Sequence, residues 1–413
     1  MTESLSFCPG CGAPIQDQHE DRPGFIPPHL RLREGVVCRR CFQMRHYGQG
    51  GKAPIADVHM QKLLDAAAAP CTGIVVVLDA SDLSASAAIL PLAYTLGKPL
   101  VIVVNKLDLL HRWIGASGVA SWLRRHVGVA NAPVRVLSAL HLDDARALGR
   151  EIPALFHGAS SSSAGATEAR YLVLGKPNVG KSTLLAAWTG DERITRSPLP
   201  GTTVGELVVP APEGPVFVDF PGFRLETPWL SLLCPSCLRA QVPLKRFTRR
   251  TFILREGSSL LWGGVFWVRF HQGKGRPWIR VVAFAPDDVF LHLTKAGREQ
   301  ELLDRHAGSL WPSLCRSCWD TLRPRMKETR PFQADGPSSN EANWALNFGD
   351  DLAFPGLGWL TSTQGEGIFH IVAPEGVLPE IRPTVFRPDF RRRSFPKRFF
   401  GGRKPGLSRF RLR

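Results

Sequence analysis

The segment YLVLGKPNVGKSTLLAAW, residues 171–188, restricts the possible folds more than any other part of the chain. An apolar, strand-like run leads into Gly175, then Asn178, Val179, Gly180, Lys181, Ser182 and Thr183, and then a helix-like stretch. This is the GxxxxGK[ST] spacing in the strand-to-helix setting that gives the motif its meaning. Glycines let backbone N–H groups wrap phosphate oxygens, and the helix N-terminus adds its positive end. Lys181 reaches the β and γ oxygens, and Ser182 can bind magnesium.

Similar apolar runs recur as GIVVVLDA, LVIVVNK, VRVLSA and VFVDFPG between residues 60 and 230, separated by helix-like stretches. Continuous apolar strands alternating with helices predict an α/β unit, a largely parallel sheet covered on both faces. DFPG brings Asp219, a magnesium ligand through water, and Gly222, whose amide would sense a γ-phosphate, 37 residues after Ser182. PGTT supplies a switch threonine, Thr203 in preference to Thr202, as a further magnesium ligand.

NKLD brings Asn105, Lys106 and Asp108, and SAL brings Ser138 and Ala139. Guanine offers two adjacent N–H donors that match the two oxygens of Asp108, whereas adenine would leave a buried carboxylate unpaired. Asn105 would tether neighbouring loops, the Lys106 stem would cover a ring face, and the Ser138 loop would turn an amide to the guanine oxygen. These residues predict GTP and GDP as ligands. Their order is unusual, because the base is read before the phosphates are held, and a Ser/Gly linker at 158–166 lies between the two halves.

With 413 residues, 44% of them hydrophobic, the chain can bury the cores of two or three domains. It has no apolar run of 18 residues and no apolar signal core at its start, which predicts a soluble, cytoplasmic chain off the membrane, with an organellar origin left open. Eight of the nine cysteines form CxxC pairs, which in such a chain argues for zinc rather than disulfides. Cys8, Cys11, Cys38 and Cys41 form two knuckles across a 26-residue spacer, a zinc ribbon within residues 1–52. Four thiolates close the coordination sphere, so this ion would be structural or partner-binding. Cys234, Cys237, Cys315 and Cys318 could form a second zinc site, with reduced thiols or redox chemistry as the alternatives. Cys71 reads as a small apolar residue.

Residues 231–385 are rich in strand signals with Gly and Pro punctuation and some helix, a β-rich C-terminal domain following the unit at 60–230. The net charge is +16, and residues 387–413, RPDFRRRSFPKRFFGGRKPGLSRFRLR, hold only Asp389 as an acid. Arginines interleaved with phenylalanines suit RNA, since Arg pairs with phosphate and rings stack on unpaired bases; a solubilising tail is the bland alternative.

The order NKLD, SAL, GKPNVGKS, PGTT, DFPG resembles that of the circularly permuted GTPases. Among them the chain is similar to the YqeH family of ribosome-assembly GTPases over nearly its whole length. The resemblance rests on CPGCGAPIQ, VCRRCFQMRHY, FILREGSSLLWGGVFWVRF, LHLTKAGREQELLDRHAG and DLAFPGLGWLT as well as the nucleotide motifs. It implies an N-terminal zinc finger, a permuted P-loop GTPase domain and a C-terminal domain like the RNA-binding TRAP fold. It also implies action in maturation of the small (30S) ribosomal subunit, and the chain is read as a GTP-hydrolysing switch, expected to be a monomer, that binds rRNA or a precursor of that subunit. The CPSC and CRSC pairs depart from the family pattern.

Phe223 stands where many signalling GTPases place a water-orienting glutamine, so intrinsic hydrolysis should be slow. Asn178 stands where potassium-stimulated GTPases hold K+, or else it merely shapes the loop. Lys181, Thr203, Gly222 and Asn178 form the expected catalytic set. A non-enzymatic RNA-binding scaffold with a structural GTP site, and a GTPase serving RNA modification, are the competing readings.

Overall fold

The computed structural model describes residues 15–18, 25–27, 57–110, 114–129, 131–157, 169–191, 207–212, 214–220, 228–241, 246–329, 343–377 and 379–386. Cys8, Cys11, Cys38, Cys41, the linker at 158–166, Thr202, Thr203, Gly222, Phe223 and the basic tail lie outside the described residues.

The first unit runs α1 Asp57–Ala68, β1 Gly73–Asp79, α2 Leu83–Ala87, α3 Leu90–Thr95, β2 Leu100–Asn105, α4 Ala116–His126, β3 Val134–Val136 and α5 Leu142–His157. It continues through β4 Arg170–Gly175, α6 Lys181–Thr189, β5 Leu207–Pro210 and β6 Val216–Asp219. The sheet order is β3-β2-β1-β4-β6-β5, parallel except where β5 returns antiparallel on β6.

β1 (GIVVVLD) and β2 (LVIVVN) are buried along their whole length. β-branched side chains suit a strand, and a strand apolar at every position is stable only with both faces covered. Successive residues accordingly enter different cores. Ile74, Val76, Leu78, Ile102 and Val104 join Leu83, Leu90, Trp122 and Leu123 on one face. Val75, Val77, Val101, Val103 and Tyr171 join Leu148, Ile152, Leu184 and Trp188 on the other. In register, Asp79 lies opposite Asn105, Val77 opposite Gly175, and Asp219 opposite Val173. The carboxyl ends of four strands therefore meet along one rim.

A turn at Pro228–Leu232 and α7 Pro235–Gln241 lead to an antiparallel region. It comprises β7 Phe247–Arg255, β8 Ser258–Trp262, β9 Phe266–Gly273, β10 Trp278–Pro286, β11 Leu291–Lys295, α8 Glu299–His306 and α9 Arg316–Leu322. Then come β12 Met326–Thr329, β13 Trp344–Leu346, β14 Asp350–Phe354, β15 Gly358–Gln364, β16 Gly367–Pro374 and β17 Glu380–Pro383. One sheet has the order β17-β14-β15-β10-β7 and the other β11-β8-β9-β16-β12, with β13 also on β16. Trp262, Phe266, Trp267, Phe270 and Phe369 fill a core that also takes Trp229, Leu238, Leu303, Trp319 and Leu322 from the helical segments.

The two regions share apolar surface. Phe247, Val282, Phe284, Ala353, Trp359 and Val385 belong to the same cluster as Leu110 and Trp122. The Trp122 indole N–H donates to the carbonyl of Pro383 (2.8 Å), and an Arg382 Nη1 donates to Ser84 Oγ (2.7 Å).

Candidate functional site

β4 ends at Gly175, where the backbone passes so close to β1 that an added Cβ would lie 2.7 Å from the Val77 carbonyl oxygen. Gly180, at φ +91°, occupies backbone space open chiefly to glycine, and a Cβ there would lie 2.2 Å from Asn105 Nδ2. The loop between them is a cradle that side chains would fill. Asn178, at φ +65°, is one of two non-glycine residues with left-handed backbone among those described, and the other is Lys106, also at φ +65°. Asparagine tolerates this conformation, so loop shaping is one role that Asn178 performs.

Lys181 starts α6, is buried, and donates from Nζ to the Gly175 carbonyl at 3.3 Å. Asp219 ends β6, is fully buried, and neither carboxylate oxygen has a hydrogen-bond partner among the described residues. Burial pushes the Asp219 carboxyl up to about 6, with Lys181 opposing in part. Burial likewise pulls Lys181 below its ordinary value, with Asp219 opposing. Each charge loses more on leaving water than it recovers from the other. A fully buried carboxylate with no hydrogen-bond partner among the described residues fits a site completed by hydrated magnesium and phosphate oxygens.

Asn105, 2% exposed at the end of β2, ties the base-reading and phosphate halves together. Its Nδ2 donates to the Val179 carbonyl (2.9 Å) and its Oδ1 accepts from the Ala139 amide (2.8 Å). Asp108 is half-buried rather than buried, and its Oδ1 accepts from Ser138 Oγ at 2.5 Å. Ser138 Oγ also accepts from the Leu140 amide (3.2 Å), which fixes the loop that follows β3. The expected base-reading residues Asn105, Asp108, Ser138 and Ala139 thus come together although 30 or more positions separate the two loops.

Two contributors escaped the motif reading. Asp79, in the run GIVVVLDA, receives a 2.6 Å bond from Lys106 Nζ to its Oδ2 and caps the next turn through the Ser81 amide and hydroxyl. It fixes the lysine stem that the sequence assigned to a ring face. Asp82 is half-buried at the seam with the antiparallel region, where desolvation pushes its carboxyl up, countered by Lys176 and by the Gly356 amide. Their signal was LDASD at a strand end, polar residues where the chain should re-enter a core.

The second cysteine set is also brought together. The Cys234, Cys237, Cys315 and Cys318 sulfurs all lie within 4.8 Å of one another. The Cys234 amide donates to Cys318 Sγ and the Cys315 amide to Cys237 Sγ, both at 3.1 Å. Against burial, bonds from Ser236 and the Cys237 amide pull Cys234 down to about 6, while burial pushes Cys318 up to about 11. Among the described residues no helix is long and apolar enough to cross a membrane.

A parallel sheet with a phosphate cradle and a guanine-matching loop on one rim defines a GTP-binding domain. Residues 170–246 match the family model described as 50S ribosome-binding GTPase. The chain is 25% identical to the uncharacterized protein YqeH of Bacillus subtilis, over 92% of this chain and 98% of that one. It is 23% identical to the chloroplastic/mitochondrial NO-associated protein 1 of Arabidopsis thaliana, over 92% of this chain and 77% of that protein. Over 31% of its length it is 35% identical to GTPase Der of Azoarcus, covering 28% of that protein. The resemblance to the YqeH family read from the motifs is thus supported along nearly the whole chain, which carries a GTPase domain.

Proposed function

We propose that the protein is a GTP-hydrolysing switch that assists ribosome assembly, acting on the small subunit or its precursor through rRNA. The observation that carries the nucleotide part is the Asn105 bridge, which holds the base-reading loop and the phosphate loop in one constellation. In this reading Asp108 selects guanine, Lys106 and Asn105 border the base, and the Ser138–Ala139 loop, tied to Asn105 and Asp108, completes the pocket. Gly175, Asn178, Val179, Gly180, Lys181, Ser182 and Thr183 line the phosphates. Magnesium, when bound, would neutralise charge on the β and γ phosphate oxygens, held by Ser182, Thr203 and, through water, Asp219. Gly222 would sense the γ-phosphate, and Asn178 would also help to hold K+.

The domain is read as circularly permuted. Its base-reading strand β2 precedes the phosphate strand β4 in the chain yet lies two places away in the sheet, as joining the usual ends and cutting elsewhere would give. Permutation puts Asp219 at the end of the domain, and Trp229, ten residues on, is buried in the core of the β-rich region. That polarity favours transmission of nucleotide state to residues 231–385, read as a TRAP-like domain, with residues 1–52 as a zinc ribbon and 386–413 as an RNA-binding tail.

Co-sedimentation with separated small and large ribosomal subunits tests the reading, in a GTP analogue, in GDP and without nucleotide. Preferential pelleting with the small subunit in the analogue state is expected. Pelleting with the large subunit would redirect the proposal to the target that the matched family model names. Pelleting that ignores nucleotide would remove the switch. Turnover equal in potassium and sodium buffers would remove the K+ role of Asn178.

A further inference from the structure

We infer that Cys234, Cys237, Cys315 and Cys318 hold one zinc ion in a closed tetrathiolate site, and that this ion clamps the chain leaving the nucleotide sheet to the helical edge of the antiparallel region. The inference goes beyond the nucleotide reading and does not depend on it.

Four sulfurs mutually within 4.8 Å are what a tetrahedral thiolate site requires, since Zn–S bonds of about 2.3 Å put sulfurs about 3.8 Å apart. The Cys234 and Cys315 sulfurs are 3.9 Å apart. Two disulfides would instead divide the set into bonded pairs at about 2 Å, each with its own geometry. The arrangement is reciprocal. Each CxxC begins a short helix, α7 or α9, and the first amide of each knuckle donates to the last sulfur or the second sulfur of the other: Cys234 to Cys318, Cys315 to Cys237. Amide donors crossing between knuckles stabilise thiolates and orient them toward a common centre. Cys237 and Cys318 are buried and the other two half-buried, so the centre is shielded and leaves no open position for a substrate.

The surroundings assign the role. Cys234 follows the turn Pro228–Leu232, whose Trp229 is 2% exposed, and this is the first described segment after Asp219. At the far end of α7, Gln241 donates to the carbonyls of Gly263 and Ser313 at 3.2 and 3.0 Å. Sulfurs at one end and an amide at the other therefore fix α7 across 81 and 72 positions of sequence. The segment that follows the nucleotide site is thus fastened to the antiparallel region at both ends of α7.

Zinc content of the purified full-length chain tests this, alongside the variants Cys315→Ser/Cys318→Ser and Cys8→Ser/Cys11→Ser. Two zinc ions per chain are expected, falling to one in either double variant. A single ion that the Cys315→Ser/Cys318→Ser pair removes would also uphold the site. A single ion that this pair leaves in place, and Cys8→Ser/Cys11→Ser removes, would overturn it. Should the substituted chains fail to fold, alkylation of the native protein decides. Cys234 and Cys315 should resist iodoacetamide until a chelator is added; ready modification of both without chelator would refute the site.

Discussion

Two buried carboxylates, one in each half of the molecule, are handled in opposite ways. In the antiparallel region Glu299 is 1% exposed, yet it accepts from Arg269 Nε (2.7 Å), Arg269 Nη2 (3.2 Å) and the Gly297 amide (2.8 Å). Burial alone would raise its pKa, but the Arg269 fork and backbone amides outweigh burial and hold it below the ordinary value. In the nucleotide unit Asp219 is as deeply buried, has no hydrogen-bond partner among the described residues, and is pushed up to about 6. Glu299 is satisfied by its neighbours, whereas Asp219 is the residue proposed to hold hydrated magnesium. A buried charge left incomplete marks function here more sharply than burial or charge alone.

The largest effect expected from this contrast is structural. Arg269→Met leaves Glu299 buried without its fork and should cost about 3–5 kcal/mol of stability, measured by denaturant unfolding, with nucleotide affinity unchanged. Loss of nucleotide binding at equal stability would break the division.

The pH response should also separate the two groups. The folded pKa of Asp219 lies above its unfolded value, so between about pH 4 and 6 the folded state binds the extra proton. Without nucleotide and metal, stability should fall as pH rises through this window, by up to about 3 kcal/mol, and Asp219→Asn should flatten the fall. Glu299, held low, contributes stability above its unfolded pKa and loses it as pH drops through the folded one. Unfolding at stepped pH reads both.

Next in size, Lys181→Ala should weaken nucleotide binding by about 10- to 150-fold, the worth of a charge-assisted contact of roughly 1.5–3 kcal/mol. Removing the desolvated Lys181 cation is favourable but leaves buried Asp219 without its opposing charge, so the two effects offset and stability without nucleotide should change little. Titration with a fluorescent guanine nucleotide and a thermal melt check the two halves of that statement. The smallest effect belongs to Arg135, whose ion pair with Glu151 is about 40% exposed on both sides. Arg135→Ala should change stability by under about 1 kcal/mol, and a larger loss would mean that exposed pairs matter in this unit.

The nucleotide motifs were legible because strand ends and glycine loops leave period and spacing in the text. β2 and β4 are largely apolar runs, and Asp108 and Lys181 follow where those runs stop. The cysteine pairs showed which residues could meet, though not that CPSC and CRSC would. What stayed hidden depends on partners far apart in sequence. Nothing near Arg382 announces that its guanidinium would lie over the rings of Trp122 and Trp359, 3.5 Å from Asp351 Oδ2. Nothing in SAL states that its amide would meet Asn105.

The Asn105 bridge has a thermodynamic consequence. One side chain restrains the loops on both sides of it, so ordering either loop lowers the entropic cost of ordering the other. Guanosine and pyrophosphate, supplied as separate molecules, should therefore bind cooperatively, each raising the affinity of the other by the same factor. Asn105→Ala should abolish that mutual gain even where each fragment still binds alone. The nucleotide would then be held as two independent pieces joined only by its own covalent bonds.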